Sequence, residues 1–267
     1  MKLVNLIWVI IIMLSSCSKD SYEPILLQYA IYNDKPNPIE NNQVNLLLPA
    51  SGKTQLVIFG GDGHYAISNS DETISNVTLT NNSFMDIIPL STGNSTVTIT
   101  DDSGNSYTLN IKVHYSEQTW IIDKQDVIVI GDKLSEVQKA EIEQKAILTL
   151  PVKVNGGFKF VYNNSEEANK GQVFIYNDNF GGEAVESVFE LKQFKIEING
   201  FIQTHPVYVI TINGKQREFI VNKYVAPQSK GDMIVPMSLN EDLTEQFKAD
   251  YPDVESVYTQ QRLINPR

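Results

Sequence analysis

Residues 107–114 alternate without a break. Tyr107, Leu109, Ile111 and Val113 share one side of an extended chain, and Thr108, Asn110, Lys112 and His114 share the other. A period of two marks a half-buried strand, because successive side chains leave a pleated backbone on opposite faces. Thr96, Thr98 and Thr100 alternate in the same way with Val97 and Ile99. Turn-forming clusters at 69–72 (Asn-Ser-Asp-Glu), 81–83 (Asn-Asn-Ser) and 101–104 (Asp-Asp-Ser-Gly) divide this region at the spacing of a β-sandwich. The pattern predicts an antiparallel sandwich over residues 25–115.

A different pattern follows. Residues 116–120 lack glycine and proline and suggest a short link, with Trp120 either packed at the junction or presented as a platform for a sugar ring. Residues 134–147 carry the strongest helix signal. Ser135 and Gln138 fit a capping box, and Leu134, Val137, Glu141, Ala140 and Ile147 outline a narrow stripe that should cover one face of a sheet. Strands return from Phe158, and Asn199-Gly200 and Asn213-Gly214 are two-residue hairpin signals that predict a three-stranded meander. Apolar positions run Phe189, Leu191, then Phe194, Ile196, Ile198, so the phase slips by one residue. Counting back from Asn199-Gly200 sets Gln193 opposite Pro206, which has no amide to donate, and the two facts together predict a β-bulge there. Ser238 with Glu241 fits a second capping box ahead of Leu243 and Phe247, Pro252 stops that run, and residues 254–263 form a last strand. The predicted fold is mainly β: a sandwich, then an α+β domain over 120–267 with an antiparallel meander and one or two short helices.

Several stretches resemble known families. Gly60-Gly61-Asp62-Gly63-His64-Tyr65, then Ile87-Ile88-Pro89-Leu90 through Gly93, then Val97-Thr98-Ile99-Thr100-Asp101 leading to Gly104, resemble a bacterial immunoglobulin-like (Big-type) domain over about residues 43–113. The resemblance implies a spacer, adhesin module or binding support, and such a fold carries no chemistry of its own. Asp242-Leu243-Thr244-Glu245 and the tail from Tyr251-Pro252 to Tyr258 are similar to carboxy-terminal domains of outer-membrane lipoproteins, a likeness that brings no activity with it. At the other end, residues 3–14 are apolar apart from Asn5, follow Lys2 and lead into Leu14-Ser15-Ser16-Cys17. The run has the layout of a secretory signal and is too short for a membrane span, which takes roughly 20 apolar residues. It resembles a lipoprotein lipobox. The resemblance implies a signal peptide over 1–16, acylation of Cys17, a tether over 17–24 and, with Ser18 rather than aspartate next, an outer-membrane location on the periplasmic face or the cell surface. Several acyl chains make a firm anchor where one does not.

Charge narrows the partners. The net charge of −11 becomes −12 once the signal leaves with Lys2. An acidic surface disfavours nucleic acid and anionic lipid, which need clustered Lys and Arg. The only cysteine is Cys17, so its acylation leaves no thiol for disulfides, metal sites or nucleophilic chemistry.

Apparent cofactor motifs lack their context. Gly61-Asp62-Gly63-His64-Tyr65-Ala66 fits a dinucleotide fingerprint, but that chemistry needs a helix next, and Ile67-Ser68-Asn69-Ser70-Asp71 predicts a strand end and a turn. Gly52-Lys53-Thr54 resembles the end of a P-loop whose first glycine is replaced by Leu47. His64, His114 and His205 lie far apart, Asp101-Asp102-Ser103-Gly104-Asn105 suits a hairpin better than a calcium loop, and no cofactor is expected. Glu166-Glu167, Glu183 with Glu186, and Asp250 with Asp253 are carboxylate pairs of the kind an acidic surface produces freely. The sequence thus supports a non-enzymatic envelope module with a protein or glycan partner. A second reading is a glycan-binding lipoprotein of a polysaccharide-uptake system, for which Trp120, Tyr162, Tyr176, Phe180 and Tyr224 are the candidate ligand-binding aromatics. A third is a carboxylate-dependent hydrolase.

Overall fold

The alternation at 107–113 becomes burial in the computed structural model. Leu109, Ile111 and Val113 are sealed, while Thr108, Asn110, Lys112 and His114 are exposed. The structure describes residues 23–30, 37–50, 52–164, 166–198, 201–223 and 237–265. Cys17, the Asn199-Gly200 turn and Tyr224 lie outside the described residues. The chain divides into two units, the first ending at His114 and the second starting at Tyr115.

The first unit contains β1 (Leu26–Tyr29), β2 (Gln43–Leu48), β3 (Thr54–Phe59), β4 (Tyr65–Asn69), β5 (Ser75–Thr80), β6 (Phe84–Pro89), β7 (Gly93–Asp101) and the beginning of β8 (Ser106–Ile130). One sheet has the order β1-β3-β6-β5, and the other joins β4, β7 and β8, with β2 also on β8. In immunoglobulin letters these are A-B-E-D against C-F-G, the constant-type arrangement. Leu56 and Ile58 of β3 and Met85 and Ile87 of β6 share one buried cluster with Val97, Ile99, Leu109 and Ile111. These aliphatic contacts stand where many such sandwiches carry an inter-sheet disulfide. Burying one aliphatic side chain is worth roughly 1.5–3 kcal/mol, the same order as the roughly 2–4 kcal/mol of a disulfide.

The second unit holds the remainder of β8, helix α1 (Glu136–Thr149), β9 (Gly157–Tyr162), β10 (Lys170–Tyr176), β11 (Val185–Ile198), β12 (Phe201–Ile212), β13 (Lys215–Lys223), β14 (Met237–Asp242), helix α2 (Thr244–Lys248) and β15 (Ser256–Ile264). Each strand pairs antiparallel with the next, and β15 returns to pair with β8. Ile121 of β8 faces both Gly157 of β9 and Ile264 of β15. The predicted meander therefore closes into an eight-stranded up-and-down barrel, a size whose interior side chains can fill. They do so here. Trp120, Phe158, Phe160, Phe189, Tyr208 and Phe219 form the inner cluster with Val173, Ile175 and Ile210. Ring centroids lie 4.3 Å apart for Phe160–Tyr208 and 5.0 Å for Phe160–Phe189.

Two positions show how the sequence allows the closure. An ideal Cβ on Gly171 would lie 2.0 Å from the Val161 carbonyl oxygen and 3.0 Å from the Phe189 ring. Only glycine lets β9 and β10 coil together over that ring. Asn213 and Gly214 take φ of 52° and 75°, the left-handed pair of a type I′ turn, and this sets the β12–β13 register.

The structure corrects several expectations. Residues 116–120 are not a link; they pair with β9, from Ser116↔Tyr162 to Trp120↔Phe158. Ser135 and Gln138 do form the capping box of α1, but the buried stripe is Ile142 and Ala146 with Leu134 ahead of it, and Val137 is 78% exposed. Val137 lies on the far side because positions four apart, not five, stack on one helix face. Gln193 does pair with Pro206, yet β11 and β12 run in unbroken register and carry no bulge there. Strict alternation instead sends Phe194 to the opposite face from Phe189 and Leu191, where it is half-exposed. The register shift occurs at Asp123, the extra residue between the pairs Lys124↔Arg262 and Ile122↔Leu263, and Arg262 holds the Asp123 carboxylate through two nitrogens at 2.7 and 2.5 Å. Ser238 and Glu241 cap nothing. They are buried in β14 between β13 and β15, and the amide of Thr244 turns instead to the Asp242 carboxylate.

Candidate functional site

Among the described residues, the aromatics singled out from sequence (Trp120, Tyr162, Tyr176 and Phe180) do not assemble into one exposed platform. Trp120 is only 5% exposed, edge-on to Phe160 and Tyr208 inside the barrel. It packs the lumen and is too buried to present a sugar platform. Tyr162 stands edge-on to Phe189, and its hydroxyl shares a 2.7 Å hydrogen bond with that of Tyr208, which also donates to the Gln118 carboxamide oxygen at 3.0 Å. Burial raises the phenol pKa of both tyrosines, so both stay neutral donors. Tyr176 and Phe180 form a separate half-buried pair, 4.6 Å between centroids with planes inclined by 54°.

Toward the Asn213-Gly214 turn the lumen becomes polar. Arg217 follows Phe219 along the inner face of β13, and Glu241 lies on the facing strand. The guanidinium meets the Glu241 carboxylate through Nε at 2.7 Å and Nη2 at 2.5 Å, and Nη1 donates to the Thr149 carbonyl at the end of α1 at 2.8 Å. A bidentate pair of this kind fixes geometry as well as charge. The Glu241 side chain is 6% exposed and that of Arg217 17%. A cleft of about 760 Å³ opens beside them, edged by Lys215, Glu218, Asp242 and Gln246. With all three guanidinium contacts made inside the protein, this end of the barrel is a clasp.

The outer wall offers a more open surface. A groove of about 640 Å³ crosses β10 to β13, bordered by the loop after β9. That loop is set by Asn164, whose carboxamide oxygen accepts from the backbone amides of Glu166 and Glu167 at 2.9 and 3.0 Å. Gln172 faces Val188 across β10 and β11, and Thr211 faces Gln216 across β12 and β13. Beside this row run Lys170, Glu190 and Val209 in register. The contact with Glu167 holds the Lys170 ammonium charged, raising its pKa. Sequence reading missed this groove because its members are dispersed polar residues that only the barrel's register brings side by side.

The other chemical candidates resolve into structure. Gly61, Asp62 and Gly63 lead into strand β4, so the helix that a dinucleotide site requires does not follow them. Lys53 is held by the Asp86 carboxylate, which also accepts from Gln55 at 2.7 Å. The Asp101 carboxylate takes the backbone and side-chain amides of Asn105, both at 2.7 Å, and the backbone amide of Asp62 at 3.2 Å, which is hairpin chemistry. Glu166, Glu167, Glu183, Glu186, Asp250 and Asp253 are all exposed. No group of three or more metal-binding side chains occurs among the described residues.

No family model and no curated protein matches the chain. Among solved structures it is similar to the intimin–Tir90 complex, at 13% identity and a TM-score of 0.26, covering 61% of this chain and 92% of that one. It is also similar to an intimin mutant of EHEC O157:H7, at 12% identity and a TM-score of 0.24, covering 62% and 98%. The immunoglobulin-like assignment of the first unit rests on its own strand order.

Proposed function

We propose that this protein is a lipid-anchored module of the bacterial cell envelope, held at the outer membrane through Cys17 and acting by binding rather than catalysis. The observation that carries the reading is the solid lumen: with rings filling the barrel, the second unit works through its outer surface and not as a container. The Big-type resemblance of the first unit supports a spacer or support role, and the lipobox-like Leu14-Ser15-Ser16-Cys17 supports the address. The test is partitioning. Replacing residues 1–17 with a cleavable secretory signal that has no lipobox cysteine should move the protein from the membrane fraction to a soluble one while Trp120 fluorescence stays native. A protein so processed that remains membrane-bound without Cys17 contradicts the tether.

A further inference from the structure

The groove on the outer wall has a donor and acceptor set that identifies its ligand class. Resting on the binding role proposed above, we infer that it is a recognition site for a neutral oligosaccharide.

The row from Gln172 through Val188 and Thr211 to Gln216 crosses three strand spacings, about 14 Å at roughly 4.8 Å each, the reach of a short glycan. Its amides are only partly used within the protein. Gln172 accepts from Asn163 Nδ2 at 2.8 Å through its carboxamide oxygen, which leaves its own NH₂ to donate outward. Gln216 is exposed and, among the described residues, makes no side-chain hydrogen bond. A sugar hydroxyl both donates and accepts, and carboxamides and threonine hydroxyls match it in both senses. Val188, 59% exposed in the middle of the row, supplies an apolar step for the C–H face of a sugar ring.

Charge excludes the nearest alternatives. Glu166 and Glu190 border the groove, and Lys170, its one cation among the described residues, is already engaged by Glu167 at 2.7 Å. A polyanion therefore meets net repulsion. Protein hot spots favour Trp, Tyr and Arg, and among the described residues none of these borders the groove. Strand addition needs a free edge, and β10 to β13 are each paired on both sides.

The experiment is calorimetric titration of the detergent-solubilised full chain with short neutral gluco-, manno- and xylo-oligosaccharides, with polygalacturonate as the charged control. At least one neutral series should bind, and Gln172→Ala and Gln216→Ala should each weaken it by about tenfold, the scale of one or two lost hydrogen bonds. Both positions are exposed, and unchanged Trp120 fluorescence checks that each variant folds. Absence of binding by all three neutral series overturns the inference, as does preferential binding of polygalacturonate or affinity that survives Gln172→Ala and Gln216→Ala combined in one chain. None of these outcomes bears on acylation of Cys17, so the groove and the tether fail separately.

Discussion

At the scale of single residues, two charged contacts carry measurable consequences. Glu241 and Arg217 satisfy each other at the polar end of the lumen. Removing one partner strands a charge of low exposure, so Glu241→Gln should cost the barrel about 3 kcal/mol in urea unfolding followed by Trp120 fluorescence. Replacing both with Met should recover most of that loss, because two apolar chains leave no orphaned charge. Asp86 behaves differently. The Lys53 hydrogen bond holds its carboxyl below the usual carboxylate pKa. A depressed folded-state pKa stabilises above the unfolded value, about pH 4, and that stabilisation is lost as pH falls through the lower folded value. In calorimetry, the stability advantage of the native protein over Asp86→Asn should be present at neutral pH and vanish as pH drops below about 4. Neither contact was legible in the sequence. Arg217 lies 24 residues from Glu241 and Lys53 lies 33 from Asp86, and only strand register brings each pair together.

At the scale of elements, local rules succeeded where the element is local. The Ser135–Gln138 capping box and the Asn213-Gly214 turn depend on neighbouring residues, and both formed as the sequence predicts. Ser238 and Glu241 satisfy the same capping pattern, but β13 and β15 on either side draw them into a strand. The bulge failed for a related reason. The slip of apolar phase at Phe194 is real, yet β11 keeps its register and half-exposes the ring. Gly171 is the position on which this coiling most visibly depends. Gly171→Ala places a methyl against the Val161 carbonyl and the Phe189 ring, so the barrel should lose about 1–3 kcal/mol from overpacking. The unfolding midpoint reported by Trp120 measures that loss, and an unchanged midpoint contradicts the close approach of β9 and β10.

At the scale of the whole molecule, the sandwich was legible because its strands alternate, while closure of the meander was not. Nothing in residues 256–264 states that they pair with 121–130; that contact spans half the chain and arises from the twist accumulated over the intervening strands. An immunoglobulin-like unit continues into a filled barrel, and the proposed envelope tether of both is one cysteine. The most direct measurement is mass spectrometry of the amino-terminal peptide from protein isolated out of its native membranes. The expected result is a chain beginning at Cys17, with lipid on its sulfur and on its new amino terminus. A free Cys17 thiol with residues 1–16 still attached contradicts it.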